Sequence, residues 1–514
     1  MSDDRISRRQ FMGVSAATIA AAAMGEGLLG CSRAVVRPTG ATGGIGYFGQ
    51  FGVDEPLVRN TLTAALARGG EYADLFFQHR VSNYMGLEDG EVNRASINTE
   101  LGVGVRVVKG DQTGYAYTED FSPESLKRAA ETAAAIADGP SRQAPPSFRV
   151  SDGKAQRYPM QVSWEGVEPK QKLPILADLN ARALKADARI KKVSLSLTDE
   201  VGVILVADSL GRLVEDFQPM TTLSLSCTAE EKGRRESNRY GSAGRAGFEF
   251  YSPERLDRVL SEAVARTTIL FEAGQPPAGE LPVVLAAGSS GILLHEAIGH
   301  GMEADFNRKG VSIFADRMGK PVAKPIVSIV DDGSLDGSRG AINVDDEGNL
   351  AGRTVLVDQG VLASYMHDSI SAKHYGVEPT GNGRRQSYAF APVPRMRATY
   401  MLPGPHTKDE IIASVKKGIL AETFTNGQVQ IGAGDFTFYV KNGWLIEDGK
   451  LSRPIKDVNL IGNGPKVLEQ IDMVADDMAI DEGTWMCGKD GQSVPVSLGM
   501  PTVRVASVTV GGRG

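Results

Sequence analysis

Two histidines five residues apart, with a glutamate directly after the first, set the hardest local constraint in this sequence: Leu293-Leu294-His295-Glu296-Ala297-Ile298-Gly299-His300-Gly301. Histidine is scarce, with six in 514 residues. A chance H-E-x-x-x-H should therefore arise on the order of once in a few hundred such chains. The related pattern H-E-x-x-H places two histidines one helical turn apart to bind zinc, with the glutamate as base. Here one more residue intervenes, and on an ideal α-helix a step of five turns the second side chain about 140° from the first. The pair can share one ion only if the helix widens or ends between them. Gly299 and Gly301 flank His300 and make such a distortion easy. The residues thus predict a strand at 283–285 leading into a distorted helix. The motif by itself leaves two readings: His295 and His300 as metal ligands with Glu296 as acid/base, or two core or surface histidines.

The N-terminus points to export. Ser7-Arg8-Arg9-Gln10-Phe11-Met12 precedes an apolar, Ala-rich run over 14–24, and Leu28-Leu29-Gly30-Cys31 follows. A charged start, a short apolar segment and a small-residue exit describe a leader, too short to span a membrane as a helix. The paired arginines resemble the twin-arginine signal. The last four residues resemble a lipobox, which would make Cys31 the lipidated first residue of the mature chain; Glu26 is unusual so close to it. The plainer alternative is a cleaved leader with Cys31 incidental. Residues 1–30 are therefore read as signal peptide, and the Gly- and Arg-rich 31–53 as a tether. The expected location is the periplasm or, through the lipid, the membrane of a bacterial cell envelope.

At 514 residues the chain exceeds what one core usually organises. A helix ending in Gly69-Gly70, strands at 72–79 and 101–108, and a helix opening at Ser122-Pro123-Glu124 form one group. A helix at 173–186, strands at 192–198, 201–207 and 221–228, and a helix opening at Ser252-Pro253-Glu254 form another. The repeated Ser cap followed by Pro at the first helical position suggests an internal duplication within 54–273. Pro/Gly-rich 274–279 separates it from a strand-rich region, 280–514, with a helix at 408–417 and a last strand at 502–510. Local antiparallel strands with occasional helices argue an α+β fold. The balance of 56 basic and 63 acidic residues, −7 overall, with neither sign in blocks, argues against a nucleic-acid partner.

Beyond the histidine motif, several blocks carry a resemblance. These are HEAIGHGMEADFNRKG at 295–310, Asp345-Asp346-Glu347-Gly348, PTGNGRR at 379–385 with Ser387-Tyr388, Pro394-Arg395-Met396, and MCGKDGQSVPV at 486–496. Together they resemble the TldD/PmbA family of metallopeptidases over roughly residues 55–510. The intact histidine motif resembles the TldD-type, active subunit; the export signal is a departure from the best-known, cytoplasmic members. The resemblance implies a zinc ion (Zn2+) held by His295, His300 and Cys487, with Glu296 as general base. It also implies hydrolysis of small or unfolded peptides, in a homodimer or a heterodimer with a TldE/PmbA-like subunit.

Three cysteines, 31, 227 and 487, leave a second reading open, because an oxidising compartment favours a Cys227–Cys487 disulfide. Cys227, beside Leu223 and Leu225 in an alternating strand, otherwise reads as a buried, inert thiol. Glu303 and Asp305 are candidates for orienting the ligand histidines. Arg384, Arg385, Tyr388 and Arg395 are candidates for binding a substrate carboxylate or stabilising an oxyanion, against plain structural roles. His79, His367 and His374 lack ligand spacing. The competing function is a non-catalytic, zinc-stabilised binding or scaffold lipoprotein; structural zinc sites usually close with four protein ligands and have no use for Glu296.

Overall fold

The computed structural model describes residues 45–152 and 156–512. The leader at 1–30, Cys31 and residues 31–44 of the tether lie outside the described residues. The rest of the expected tether belongs to the fold. A 3₁₀ turn at Gly46–Phe51 and the following residues bury Phe48 and Val53 completely. Aromatic and β-branched side chains here outweigh the glycines that suggested a linker.

The duplication is visible as two copies of one unit. The first comprises α1 (Glu55–Leu66), β1 (Tyr72–Glu88), β2 (Glu91–Lys109), β3 (Gln112–Thr118) and α2 (Pro123–Ala134). After a short β4 (Arg149–Asp152) come α3 (Pro169–Ala186), β5 (Ile190–Asp208), β6 (Arg212–Glu231), β7 (Arg234–Gly244) and α4 (Pro253–Thr268). Both closing helices use the predicted cap: Ser122 Oγ accepts from the Ser125 amide at 3.4 Å, and Ser252 Oγ from the Arg255 amide at 3.3 Å. The copies are fused rather than separate. One sheet runs β3-β2-β1-β5-β6-β4, with β7 also on β6. Antiparallel pairing from Asp74↔Asp208 to Glu88↔Ser194 joins the halves.

The strands are longer than their hydrophobic runs predicted, and β5 bridges the break expected at 199–200. The reason is that each central strand serves two cores. β1 gives Leu75 and Phe77 to the core under α1 and α2, and β5 gives it Val203 and Leu205. Further along, β1 gives Met85 and Leu87, and β5 Val193 and Leu195, to the core under α3 and α4. On alternate positions Phe76, Ile204 and Val206 pack against Tyr388 of the C-terminal region, as a two-residue side-chain period requires.

A buried ion network pins the two regions together. Arg106 on β2 contacts Asp74 Oδ2 at 2.6 Å and, across the interface, Glu347 Oε1 at 2.7 Å, all three side chains being fully buried. Burial opposes the charge on Glu347, but Arg106 and the two hydrogen bonds from Ser369 hold its pKa below the usual range.

In the C-terminal region the segments 450–463, 435–447, 417–429, 279–285, 503–512 and 471–474 form a six-stranded sheet in that order. The first also pairs with 503–512, closing the sheet on itself. The helix expected at 408–417 stops at Ala413, because Lys417 already starts the next strand. The motif helix packs its Leu293, Leu294, Ala297 and Ile298 into the core that this sheet shares with Cys487, Val494 and Val496.

Candidate metal centre

The predicted widening of the helix is present. A single α-turn at Ile292–Leu294 passes into a π-turn at His295–Gly299 and then a 3₁₀ turn at His300–Met302. The His300 amide donates to the His295 carbonyl, the five-residue step of a π-helix. That step brings residue i+5 back over residue i, so the odd spacing no longer separates the rings, whose centroids lie 5.1 Å apart. Gly299 is needed for a second reason: a Cβ there would stand 2.1 Å from Met396 Sδ.

The third donor comes from a hairpin, Met486–Lys489 paired with Gln492–Pro495. Asp490 and Gly491 both have positive φ, the conformation that a two-residue hairpin turn prefers. Alternation along the first strand buries Cys487 and Lys489 and leaves Met486 and Gly488 outward. One ligand atom from each of His295, His300 and Cys487 lies within 4.8 Å of the others, and all three residues are buried. Cys487 Sγ is 3.5 Å from His300 Nε2, and His295 Nδ1 is buried without a hydrogen-bond partner. Two imidazoles and a thiol converging with an unsatisfied nitrogen fit a single cation.

Cys227 and Cys487 are both free and sit in different cores, so the disulfide reading is overturned. Burial raises the Cys227 thiol to about 11, which suits an inert core residue. Burial also opposes ionisation of Cys487, but His295 and His300 beside it hold the thiol well below its ordinary value. The thiolate is the form that binds metal. Burial pulls His300 down, and Glu303 and Cys487 more than reverse this, leaving its pKa well above the ordinary value. Ligation would therefore release its proton.

Behind the donors lies a charged relay. His300 Nδ1 is 3.0 Å from Glu303 Oε2, which fixes the ring with Nε2 toward Cys487. Lys489 Nζ sits 3.1 Å from Glu303 Oε2 and donates to Asp305 Oδ1 at 2.7 Å. Despite burial, Lys489 and His300 keep the Glu303 carboxyl at about 2. Lys489 was not singled out from the sequence, although its two-residue spacing from Cys487 on a strand places both on one face. Glu296, the single carboxylate on the π-turn, is half-buried.

The other candidates separate. Arg395 is fully buried and donates to the Cys487 carbonyl, which holds the hairpin. Arg385 faces Asp74 and the Asp346 carbonyl. Tyr388 donates to Glu119 and packs in the interface. All three are structural here. Arg384 donates to the Met396 and Pro495 carbonyls and lines a cavity. His79 contacts Tyr47 Oη at 2.7 Å, and His367 packs among Tyr365 and Tyr375; neither joins the metal cluster.

Comparison with known proteins places this geometry. Residues 73–137 match domain 1 of the PmbA/TldA metallopeptidases, 163–271 their central domain and 278–512 their C-terminal domain. The chain belongs to the TldD/PmbA metallopeptidase family. A metalloprotease TldD homolog of Haemophilus influenzae is 42% identical over 452 residues, covering 87% of this chain and 94% of that one. A metalloprotease of Methanocaldococcus jannaschii is 32% identical, covering 86% and 97%. A zinc metalloprotease TldD homolog of Saccharolobus solfataricus is 33% identical, covering 50% and 57%. Among solved structures, TldE from Thermococcus kodakarensis superposes with a TM-score of 0.69 at 18% identity, covering 89% and 99%. A protein of Thermotoga maritima described as a putative modulator of a DNA gyrase gives 0.71 at 20%, covering 89% and 100%. At that identity they establish the shared fold. The family is one of metallopeptidases, and the names of these relatives, metalloproteases, support a hydrolase.

Proposed function

We propose that this chain is an exported zinc peptidase that hydrolyses small or unfolded peptides, with His295, His300 and Cys487 as ligands and Glu296 as general base. The observation that carries the reading is the convergence of the three donors on a π-turn that also bears Glu296. Zinc bonds of about 2.05 Å to nitrogen and 2.3 Å to sulfur at a tetrahedral angle put the two donors about 3.6 Å apart; His300 Nε2 and Cys487 Sγ are 3.5 Å apart. Three protein ligands leave a fourth position open, as in catalytic rather than structural sites. When bound, zinc would lower the pKa of a coordinated water towards about 7 and polarise the scissile carbonyl. Glu296 takes the proton of the attacking water and delivers it to the leaving amine. Glu303, charged and paired with Lys489, holds His300 in its ligating orientation.

The test is zinc content together with peptidase activity on one purified sample. Wild type should carry about one zinc per chain and lose activity to a chelator, and Cys487→Ser should lose the metal. Zinc retained in Cys487→Ser would remove the third ligand.

The partner proposed for the chain is a second copy of itself or a TldE/PmbA-like subunit, and a TldE shares its fold. Arg8-Arg9 and the lipobox-like Leu28–Cys31 stretch support export, with Cys31 as the lipid anchor. Cell fractionation should find the wild type in the envelope and Cys31→Ala released from the membrane. Equal membrane retention of both would exclude the anchor.

A further inference from the structure

The face of the N-terminal sheet that turns away from its helices and the outward face of the 486–495 hairpin enclose a cavity of about 270 Å³. Five arginines line it, Arg80, Arg245, Arg339, Arg384 and Arg385, against two carboxylates, Glu200 and Asp346. Two of the arginines are committed. Arg80 lies 3.6 Å from Glu100 and 3.5 Å from Glu200, and Arg385 lies 3.4 Å from Asp74.

The other three hydrogen-bond only to neutral groups, although Asp346 acts on Arg384 and Glu200 on Arg339 from beyond ion-pairing distance. Arg384 donates to the carbonyls of Met396 and Pro495 at 2.5 and 2.8 Å. Arg339 donates to the Trp485 carbonyl at 3.1 Å and to Thr222 Oγ1 at 3.0 Å, and touches Met486 Sδ. Arg245 donates to the Arg339 carbonyl at 3.3 Å and lies over the Tyr158 ring. Among the described residues no carboxylate stands within ion-pairing distance of these three. Arg245 and Arg384 are each only 4% exposed. Burial draws Arg339 and Arg384 down to about 10, which still leaves both charged at neutral pH. Asp346 and Glu200 are already engaged by Arg385 and Arg80, so the cluster holds more guanidinium than carboxylate. Buried charge in excess of its counter-charge is costly and rarely retained without use. Guanidinium forks match a planar carboxylate better than they match a spherical ion.

The cavity backs onto the metal hairpin. Met486 lines it, while Cys487, the next residue, points its side chain to the opposite face. We propose that this cavity anchors a carboxylate of the peptide substrate, with Arg245, Arg339 and Arg384 as its clamp. The assignment rests on the peptidase reading above. Because the hairpin stands between clamp and metal, the anchored carboxylate belongs to a residue some way along the chain from the scissile bond. A C-terminal carboxylate and an acidic side chain offer the same chemistry.

Binding to the zinc-loaded Glu296→Gln protein separates these sources. The probes are a labelled peptide with a free C-terminus and one internal Asp, its C-terminal amide, and its Asp→Asn version. One of the two changes should weaken binding about tenfold or more, the scale of a lost charge-assisted pair. Arg339→Gln and Arg245→Gln should abolish that discrimination, and Arg339→Lys should restore part of it. Glutarate, used alone on the wild-type chain, should raise the thermal midpoint there but not in Arg339→Gln. Equal affinity for all three peptides overturns the proposal, as does discrimination that survives in correctly folded, zinc-loaded arginine variants. Glutarate binding without any peptide binding would leave a carboxylate site but sink its assignment to a peptide substrate.

Discussion

Replacing Glu296 by Gln is expected to lower kcat by about 10²–10⁴-fold, the range a positioned general base contributes, while zinc content stays that of the wild type. The side chain is half-buried on the π-turn, and among the described residues its carboxylate has no hydrogen bond that competes with a role in proton transfer. Gln keeps size and polarity but cannot accept the proton. Loss of kcat at unchanged KM would locate the defect in chemistry rather than binding. A variant within tenfold of the wild type would assign proton transfer elsewhere. A variant that also lost its metal would make Glu296 a residue of the metal scaffold.

Arg106→Met should destabilise the fold by about 3–5 kcal/mol, the cost of leaving a buried partner charge uncompensated. Asp74 and Glu347, both fully buried, would face each other's region without the guanidinium between them. In the wild type the Glu347 pKa is held below its unfolded value. Its contribution is therefore present above the unfolded carboxylate range and lost as pH falls. Without Arg106 the Glu347 carboxyl loses the partner that chiefly lowers its pKa, so the deficit should shrink on acidification. Denaturant unfolding of both proteins at neutral and acidic pH measures this. Equal stability at neutral pH would show that the interface does not depend on the ion pair.

The convergence of His295 and His300 was legible in the sequence, because helical periodicity turns their spacing into a geometric demand and Gly299 answers it; Cys487 entered only through the family resemblance. The sequence carried the duplication through two identical helix caps, Ser122 and Ser252. It missed the length of β1 and β5, because a hydrophobic run marks where a strand is buried, not where its pairing ends. It read residues 45–53 as linker, because Phe48 and Val53 become core only when a distant sheet covers them. The arginine cavity was only partly legible: Arg384 stood out near the family-like blocks, but Arg245 and Arg339 lie 94 residues apart in sequence. Nothing local marks them as neighbours, and the same long-range assembly hid the structural roles of Arg385 and Tyr388.

The seam between β1 and β5 has a consequence for how the chain is made. Asp74 pairs with Asp208, so as β1 leaves the ribosome its inner edge stays bare until more than a hundred further residues have been synthesised. An edge with open amides and carbonyls is a template for pairing with other chains. Contacts so distant in sequence also form slowly. The nascent first unit is thus the stretch most in need of a chaperone's cover, and a chain truncated before β5 should aggregate instead of yielding half a protein.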